Sequence, residues 1–487
     1  MSSERTAGLT SRVAEFVAAA SWQDFPADVV TVALDHVLDS YGVMLAGVHS
    51  DPARIVREVY GARPGKSSVL GTGARQDPIG AALANGVAGH ALDYDDTQLS
   101  TSPEGVYGLL THPSVPVLAA CTAIAEETGA SGRELLTGFI VGVEVACRVA
   151  DAISSRHYRA GFHSTGTVGT IGAAAGAGKL LGLHPERLAV ALSIAASMAS
   201  GLRENFGTMT KPLHSGRAAS NGVAAALLAR GGFTASDSGL EAPRGFFSAA
   251  GGGFTAERIE GRLGRPFFLR DPGVSIKPYP SGSLAHPAMD VMLDLARGHD
   301  LEHERIEWIE VGTNSNVPNA LIHHRPVTGL QGKFSMEYCI ATCAVRRRAG
   351  LAEFTDEAVL DPGIQRFLPK VDLVVAPDLE TLGYQHVRSR VIVTMKDGGR
   401  AGGEAEWARG YPAMPMTEAE LTAKFTECAA EAIPVARAAE AAEAIGFLAE
   451  AETVTKTLAL LTTGETTGET TGETTGKTTG ETTGKQP

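Results

Sequence analysis

Two stretches of this chain are so rich in glycine and alanine that they can only be used well as helices packed almost backbone to backbone. The first, Gly161 to Leu183, reads GFHSTGTVGTIGAAAGAGKLLGL; the second, Asn205 to Phe233, reads NFGTMTKPLHSGRAASNGVAAALLARGGF. With little beyond a methyl group on the facing surfaces, neighbouring helices approach closely, and close packing fixes their positions. Each stretch opens with a short segment expected to be irregular and to carry basic side chains: His163 in the first, Lys211 and His214 in the second. A cation-bearing segment feeding a tightly packed helix holds charge rigidly at the edge of a core.

The chain of 487 residues exceeds what one core usually supports, so two domains are expected. Apolar residues at 44% and charged residues at 20% are ordinary for a globular protein. A formal net charge of −13 argues against nucleic acid as partner, because phosphate binding needs an excess of Lys and Arg. It leaves room for a small anionic substrate held by a local cluster of cations. The N-terminus, MSSERTAGLTSRVAEF, lacks an apolar region behind a basic start, so no secretory signal is read there. The apolar run Val168 to Leu183 is too short and too glycine-rich for a membrane span. Cys121, Cys147, Cys339, Cys343 and Cys428 are scattered without a zinc-type spacing and read as reduced thiols of a cytoplasmic protein.

Residues 4 to 60 read as helices, with Val13, Phe16, Val17 and Ala20 on one face and Val30, Ala33, Val37 and Tyr41 on another. Asp39 sits among the apolar neighbours of the second helix as a structural hydrogen-bonding group. Further helices are expected at Ala81 to Ala91, after His112, at Ser131 to Arg148 and at Arg187 to Ser200, with a loop from Gln98 to Gly108. Near residue 270 the pattern changes. RIEWIEVGTNS and HVRSRVIVTMKDGG read as strands, the second closed by an Asp-Gly-Gly turn, and helices alternate with them. The expected architecture is mainly α: a large helical domain over 1–268, to which 430–461 returns, and a smaller α+β lid over 269–429. From Thr462 to Lys485 the chain is six copies of Thr-Thr-Gly-(Glu/Lys), which cannot bury an apolar face and should be disordered.

The run LDYDDT, Leu92 to Thr97, places three carboxylates within four positions. Mg²⁺ is one reading of such a cluster, but the basic residues elsewhere argue for an anionic ligand. THPS places His112, and FHSTG places His163, just before a helix, beside small residues that leave space. TKPLH supplies Lys211 and His214, and IKPYPSGSLAH supplies Lys277, Tyr279, Ser281 and His286. The residue before a proline is biased to extended backbone, so each lysine should reach forward. Two Lys-Pro pairs, each followed by a histidine, look like a repeated device for grasping carboxylates.

In these segments the chain resembles the MmgE/PrpD family. The shared motifs are GHALDYDDT (Gly89 to Thr97), THPS (111 to 114), GFHST (161 to 165), MTKPLHSGRAA (209 to 219) and KPYPS (277 to 281), within a likeness running from about residue 8 to about 455. The resemblance implies a helical domain with an α+β lid, a cytoplasmic homodimer, and a site between the domains needing no metal or organic cofactor. It also implies a small di- or tricarboxylate substrate that is decarboxylated or dehydrated, in the manner of cis-aconitate or 2-methylcitrate, or else epimerised, as with iminodisuccinate. By motif position the family's functional residues fall on Asp93, Thr97, His112, His163, Lys211 and Lys277, with His214 and His286 as further candidates. One departure is visible. Decarboxylases of the family carry a tyrosine shortly before an Arg-Pro, whereas this chain reads LIHHRP, with Ile322 at that place, which argues against cis-aconitate decarboxylation specifically. Tyr158 or Tyr279 could supply a proton instead. The expected division of labour has Lys211 and Lys277 holding carboxylates and Thr97 adding a hydrogen bond. His112 and His163 would move a proton at the carbon beside a carboxylate, with Asp93 orienting one imidazole.

Overall fold

The computed structural model describes residues 8–463 apart from 62, 103–104, 108–109, 299 and 384–385; the repeats from residue 464 onward lie outside the described residues. The chain is mainly α-helical, with a smaller α+β part toward the C-terminus. The helices that frame the site are α1 (Ala27–Gly47), α2 (Pro78–His90), α3 (Ser114–Thr128), α4 (Gly132–Ala152), α5 (Ser164–Leu180), α6 (Pro185–Met198) and α7 (Thr210–Arg230). Their starts carry the expected signals. Asp77 accepts from the amide of Gly80 ahead of Pro78, and Ser131 forms a reciprocal cap with Glu134 on α4. α1 is also long and apolar enough to cross a membrane, but 67% of its apolar window is buried inside the fold, as befits a core helix.

α5 is buried along nearly its whole length and packs against α3, α4, α6 and α7. Small residues are required at the crossings. A methyl added to Gly172 would sit 2.6 Å from Ala146 Cβ and 2.7 Å from the Gly142 carbonyl. Gly86 of α2 and Gly216 of α7 face each other, and a methyl on Gly216 would meet Val87 Cγ2 at 2.4 Å and the Leu83 carbonyl at 2.6 Å. α7 begins earlier than the sequence suggests. Lys211 lies in its first turn and His214 just beyond, not in an irregular lead-in, because Pro212 is tolerated where amides have no helical acceptor. The extended Lys-Pro reading therefore fails at Lys211, while Lys277 does stay outside any helix.

Two short antiparallel ladders interrupt the helical half: Ser67–Ser68 with Arg75–Gln76, and Ser100–Ser102 with Gly105–Tyr107, the latter inside the stretch read as loop. The second part comprises α8 (His286–Gly298), β1 (Ile306–Thr313), α9 (Met336–Arg346), β2 (Val371–Val375), β3 (Ser389–Met395) and β4 (Arg400–Ala405). The sheet runs β2-β1-β3-β4, parallel at β1–β2 (Ile309 opposite Val371) and antiparallel elsewhere (Val311 opposite Val391, Ser389 opposite Ala405). β1 and β3 are the two strands read from sequence, and Asp397-Gly398-Gly399 makes the turn, with Gly398 at φ +85°. α8 and α9 pack on the sheet.

Apolar side chains gather mainly in two cores. One joins residues 9–274 with 425–461; the other joins residues 279–411 with Leu99. Helix α10 (Glu418–Ala429) packs on α1, so Phe425, Cys428 and Ala429 belong to the helical core although the sequence groups them with the lid. Gly216→Val is expected to cost at least about 1–3 kcal/mol, since neither the Leu83 backbone nor Val87 can retreat without moving a helix; the midpoint of urea unfolding reads the loss.

Candidate active site

α2 ends at His90, and the chain then reverses through Asp93, whose φ of +52° is a left-handed conformation that aspartate accepts more readily than most residues. This reversal sends the three carboxylates of the DYDD run to three different partners. Asp93 Oδ1 lies 2.6 Å from Lys211 Nζ and 3.1 Å from Lys277 Nζ, and Lys277 also donates to the Asp93 carbonyl at 2.9 Å. Asp95 accepts from His90 Nδ1 at 2.8 Å and lies 3.5 Å from His112 Nδ1. Asp96 accepts from His36 at 2.8 Å and from the amide and hydroxyl of Ser114, so it anchors the start of α3 directly after His112. A hydrogen-bonded bridge between Thr97 and Ser275, 2.8 Å in each direction, brings the Lys277 segment alongside the motif.

The resulting cluster is almost wholly buried. Lys211 Nζ donates to His90 Nε2 at 3.0 Å, so Asp95, His90, Lys211 and Asp93 form one continuous chain of polar contacts. Burial would raise the Asp93 carboxyl, but Lys211 and Lys277 overcome it and hold the group well below the usual carboxylate range. Lys277 is pushed down by burial, against the pull of Asp93. Burial, aided by the neighbouring ammonium groups, drives His112 and His163 well below the usual imidazole range and His214 down to about 4. The site therefore sets two lysine amines against one carboxylate, with neutral imidazoles beside them.

A small pocket opens over this cluster. Asp93, Thr97, His112, Lys211 and Lys277 line it, so five of the eight predicted residues converge on one space. Tyr158, Phe206, Leu284, Leu321 and Phe334 give it a largely apolar wall. His163 stands behind that surface, its ring 5.0 Å from Phe206 and 5.7 Å from His90, and its Nδ1 shares a proton with His214 Nδ1 at 3.0 Å. His214 thus supports His163 and does not line the pocket. His286 is also outside it, held by Ser281 at 3.2 Å and edge-on to Tyr279. Tyr279 is engaged with Asp290 and Arg409, whereas Tyr158 lines the pocket under the Arg203 guanidinium at 3.8 Å. Ile322 is 50% exposed and turned away, leaving Ala320 and Leu321 at the pocket edge.

The sequence leads one to expect that Asp93 orients an imidazole, but His112 Nε2 is 4.0 Å away and the carboxylate is taken by the lysines. Asp95 does that work. Its partner His90 ends an ordinary-looking alanine-rich helix, which masks its role in the sequence, although it stands inside the GHALDYDDT run, five residues before Asp95. Among the described residues, two donor sets, His90/His112/His163 and His90/Asp93/Asp95/His112, have ligand-type atoms within 4.8 Å of one another and could converge on a cation. The ammonium groups already neutralising Asp93 weaken the pull of that set on a divalent ion.

Comparison with known proteins identifies the family of the chain. Residues 11–259 match the MmgE/PrpD N-terminal domain and residues 279–449 the MmgE/PrpD C-terminal domain. A cis-aconitate decarboxylase of Homo sapiens is 30% identical over 362 residues, 72% of either chain. One from Mus musculus is 29% identical over 407 residues, 80% of either chain. One from Aspergillus terreus (strain NIH 2624 / FGSC A1156) is 26% identical over 482 residues, covering 94% of this chain and 97% of the relative. With both family domains matched in order and the motif residues gathered at their junction, the chain belongs to the MmgE/PrpD family.

Proposed function

We propose that the protein is a lyase that removes CO₂ or water from a small di- or tricarboxylate by acid–base chemistry of its own side chains. The observation that carries this reading is the pairing of two buried ammonium groups with a neutral imidazole in one pocket. Relatives named cis-aconitate decarboxylase support it. The substrate's carboxylates share Lys211 and Lys277 with Asp93, and Thr97, whose hydroxyl is 3.1 Å from Ser283, adds a neutral hydrogen bond. Burial strengthens both contacts, since little water competes.

His112 lines the pocket and exchanges the proton. In dehydration, its neutral imidazole takes the hydrogen beside a carboxylate, and the hydroxide leaves with a proton from an ammonium group or the imidazolium so formed. In decarboxylation, the bond to the leaving carboxylate supplies the electron pair, and the resulting carbanion takes a proton. The charge of a bound polycarboxylate raises the proton affinity of His112 and so equips it as donor. In both, the lysines stabilise the enolate-like charge as it develops. A second reading, epimerisation of an amino- or imino-dicarboxylate, is favoured by the imidazoles being neutral and by the absence of a tyrosine at Ile322.

NMR of candidate acids in D₂O separates these readings. Loss of CO₂ or water supports the lyase; deuterium uptake with an unchanged skeleton supports the epimerase and overturns the lyase. His112→Ala should lower turnover by about 10²–10⁴-fold without unfolding. For the route in which neutral His112 acts as base, its lowered proton affinity in the empty site should place the acid limb of kcat/KM at lower pH than an ordinary histidine, about 6.5, would give. Asp95→Asn removes the carboxylate that keeps the proton on His90 Nδ1, freeing the other tautomer to point an N–H at Lys211. It should reduce kcat at least about tenfold with the circular dichroism spectrum unchanged.

A further inference from the structure

Lys424 is far in sequence from every motif, yet its ammonium lies directly beneath the site. It protrudes from α10 at a core-facing position, between Leu421 and Phe425 on the buried side of that helix. Its Nζ donates to the Tyr94 carbonyl at 2.9 Å and to the Lys277 carbonyl at 2.8 Å, rests 4.0 Å from the centre of the Tyr94 ring, and pairs with Asp39 Oδ1 at 2.5 Å. Tyr94 follows Asp93, and Lys277 is the other half of the central ion pair. One buried cation thus holds the backbone on both sides of the Asp93–Lys277 contact, and through Asp39 it ties that backbone to α1.

The arrangement is costly. Asp39 is fully enclosed, and burial pushes its carboxyl up to about 6 despite the ammonium against it. A buried ion pair is weak evidence for stability, because two well-packed neutral groups usually serve as well. Its three-way geometry is better explained by placement. A second buried lysine repeats the device: Lys333 donates to the Pro280 carbonyl at 3.0 Å, so the KPYPS segment is gripped by a lysine amine near each end.

We infer that Lys424 is a positioning residue that sets Lys277 against Asp93, with Asp39 serving to hold the Lys424 ammonium in place. Its kinetic test rests on the polycarboxylate reading; its structural test does not. Lys424→Met alone leaves the Asp39 carboxyl buried without its partner, either charged or forced to protonate, and should lower the urea midpoint. The double variant Asp39→Asn/Lys424→Met removes both charges and should recover most of that midpoint. Its kcat/KM should nevertheless stay at least tenfold below wild type, mainly through KM, because Lys277 no longer has a fixed place. Hydrogen exchange in the peptides spanning 92–98 and 275–282 should be faster in the double variant than in wild type, with exchange in α5 unchanged. A double variant that regains both stability and wild-type kcat/KM, or whose two peptides exchange as in wild type, overturns the assignment. Should wild type turn over no polycarboxylate, the lyase reading fails, and the exchange pattern decides the role of Lys424 by itself.

Discussion

A carboxylate caught between two ammonium groups, with almost no water around any of them, is the constraint that orders this molecule. Asp93 meets Lys211 from α7 and Lys277 from the segment linking the two parts. Charges this deeply buried persist only when paired and hydrogen-bonded, so backbone and side chains nearby must be held to fractions of an ångström. Much of the surrounding architecture meets that demand: the left-handed turn at Asp93, the Thr97–Ser275 bridge and the lysines that grip the KPYPS carbonyls.

Close helix packing is the second half of the same solution. Lys211 can reach His90 and Asp93 because α7 lies against α2 at the Gly86–Gly216 contact, and His163 is presented by the start of α5, itself wedged among four helices. Even a methyl at the Gly86–Gly216 crossing would press on the facing backbone and shift the helices, and with them the charges. The small residues and the polar residues therefore belong to one design, in which a rigid apolar frame supplies the accuracy that buried ions need.

Much of this was legible in the sequence. The glycine- and alanine-rich stretches announced the close-packed helices, the change of periodicity near residue 270 announced the sheet, and the motif residues Asp93, Thr97, His112, Lys211 and Lys277 do share a pocket. What escaped notice is physical in kind. Asp93, Asp95 and Asp96 look interchangeable as letters, and only the backbone reversal gives each a different partner. His90 was hidden by its alanine-rich helix. Pro212 suggested an extended lysine, because sequence alone does not say whether a proline stands before a helix or within its first turn. Lys424 left a faint signal, one cation on an otherwise apolar stripe with Leu421, Phe425 and Cys428, which a periodicity reading passes over as a solvated face.

The pairing of Asp39 with Lys424 also bears on how the chain is made. Asp39 lies in one of the first long helices to be synthesised, while its partner arrives almost four hundred residues later. Until then, a helical half closed around α1 would have to bury the Asp39 carboxyl without its partner, as an unpaired charge or in protonated form. The helical core and the cleft therefore share one contact that only a nearly complete chain can make.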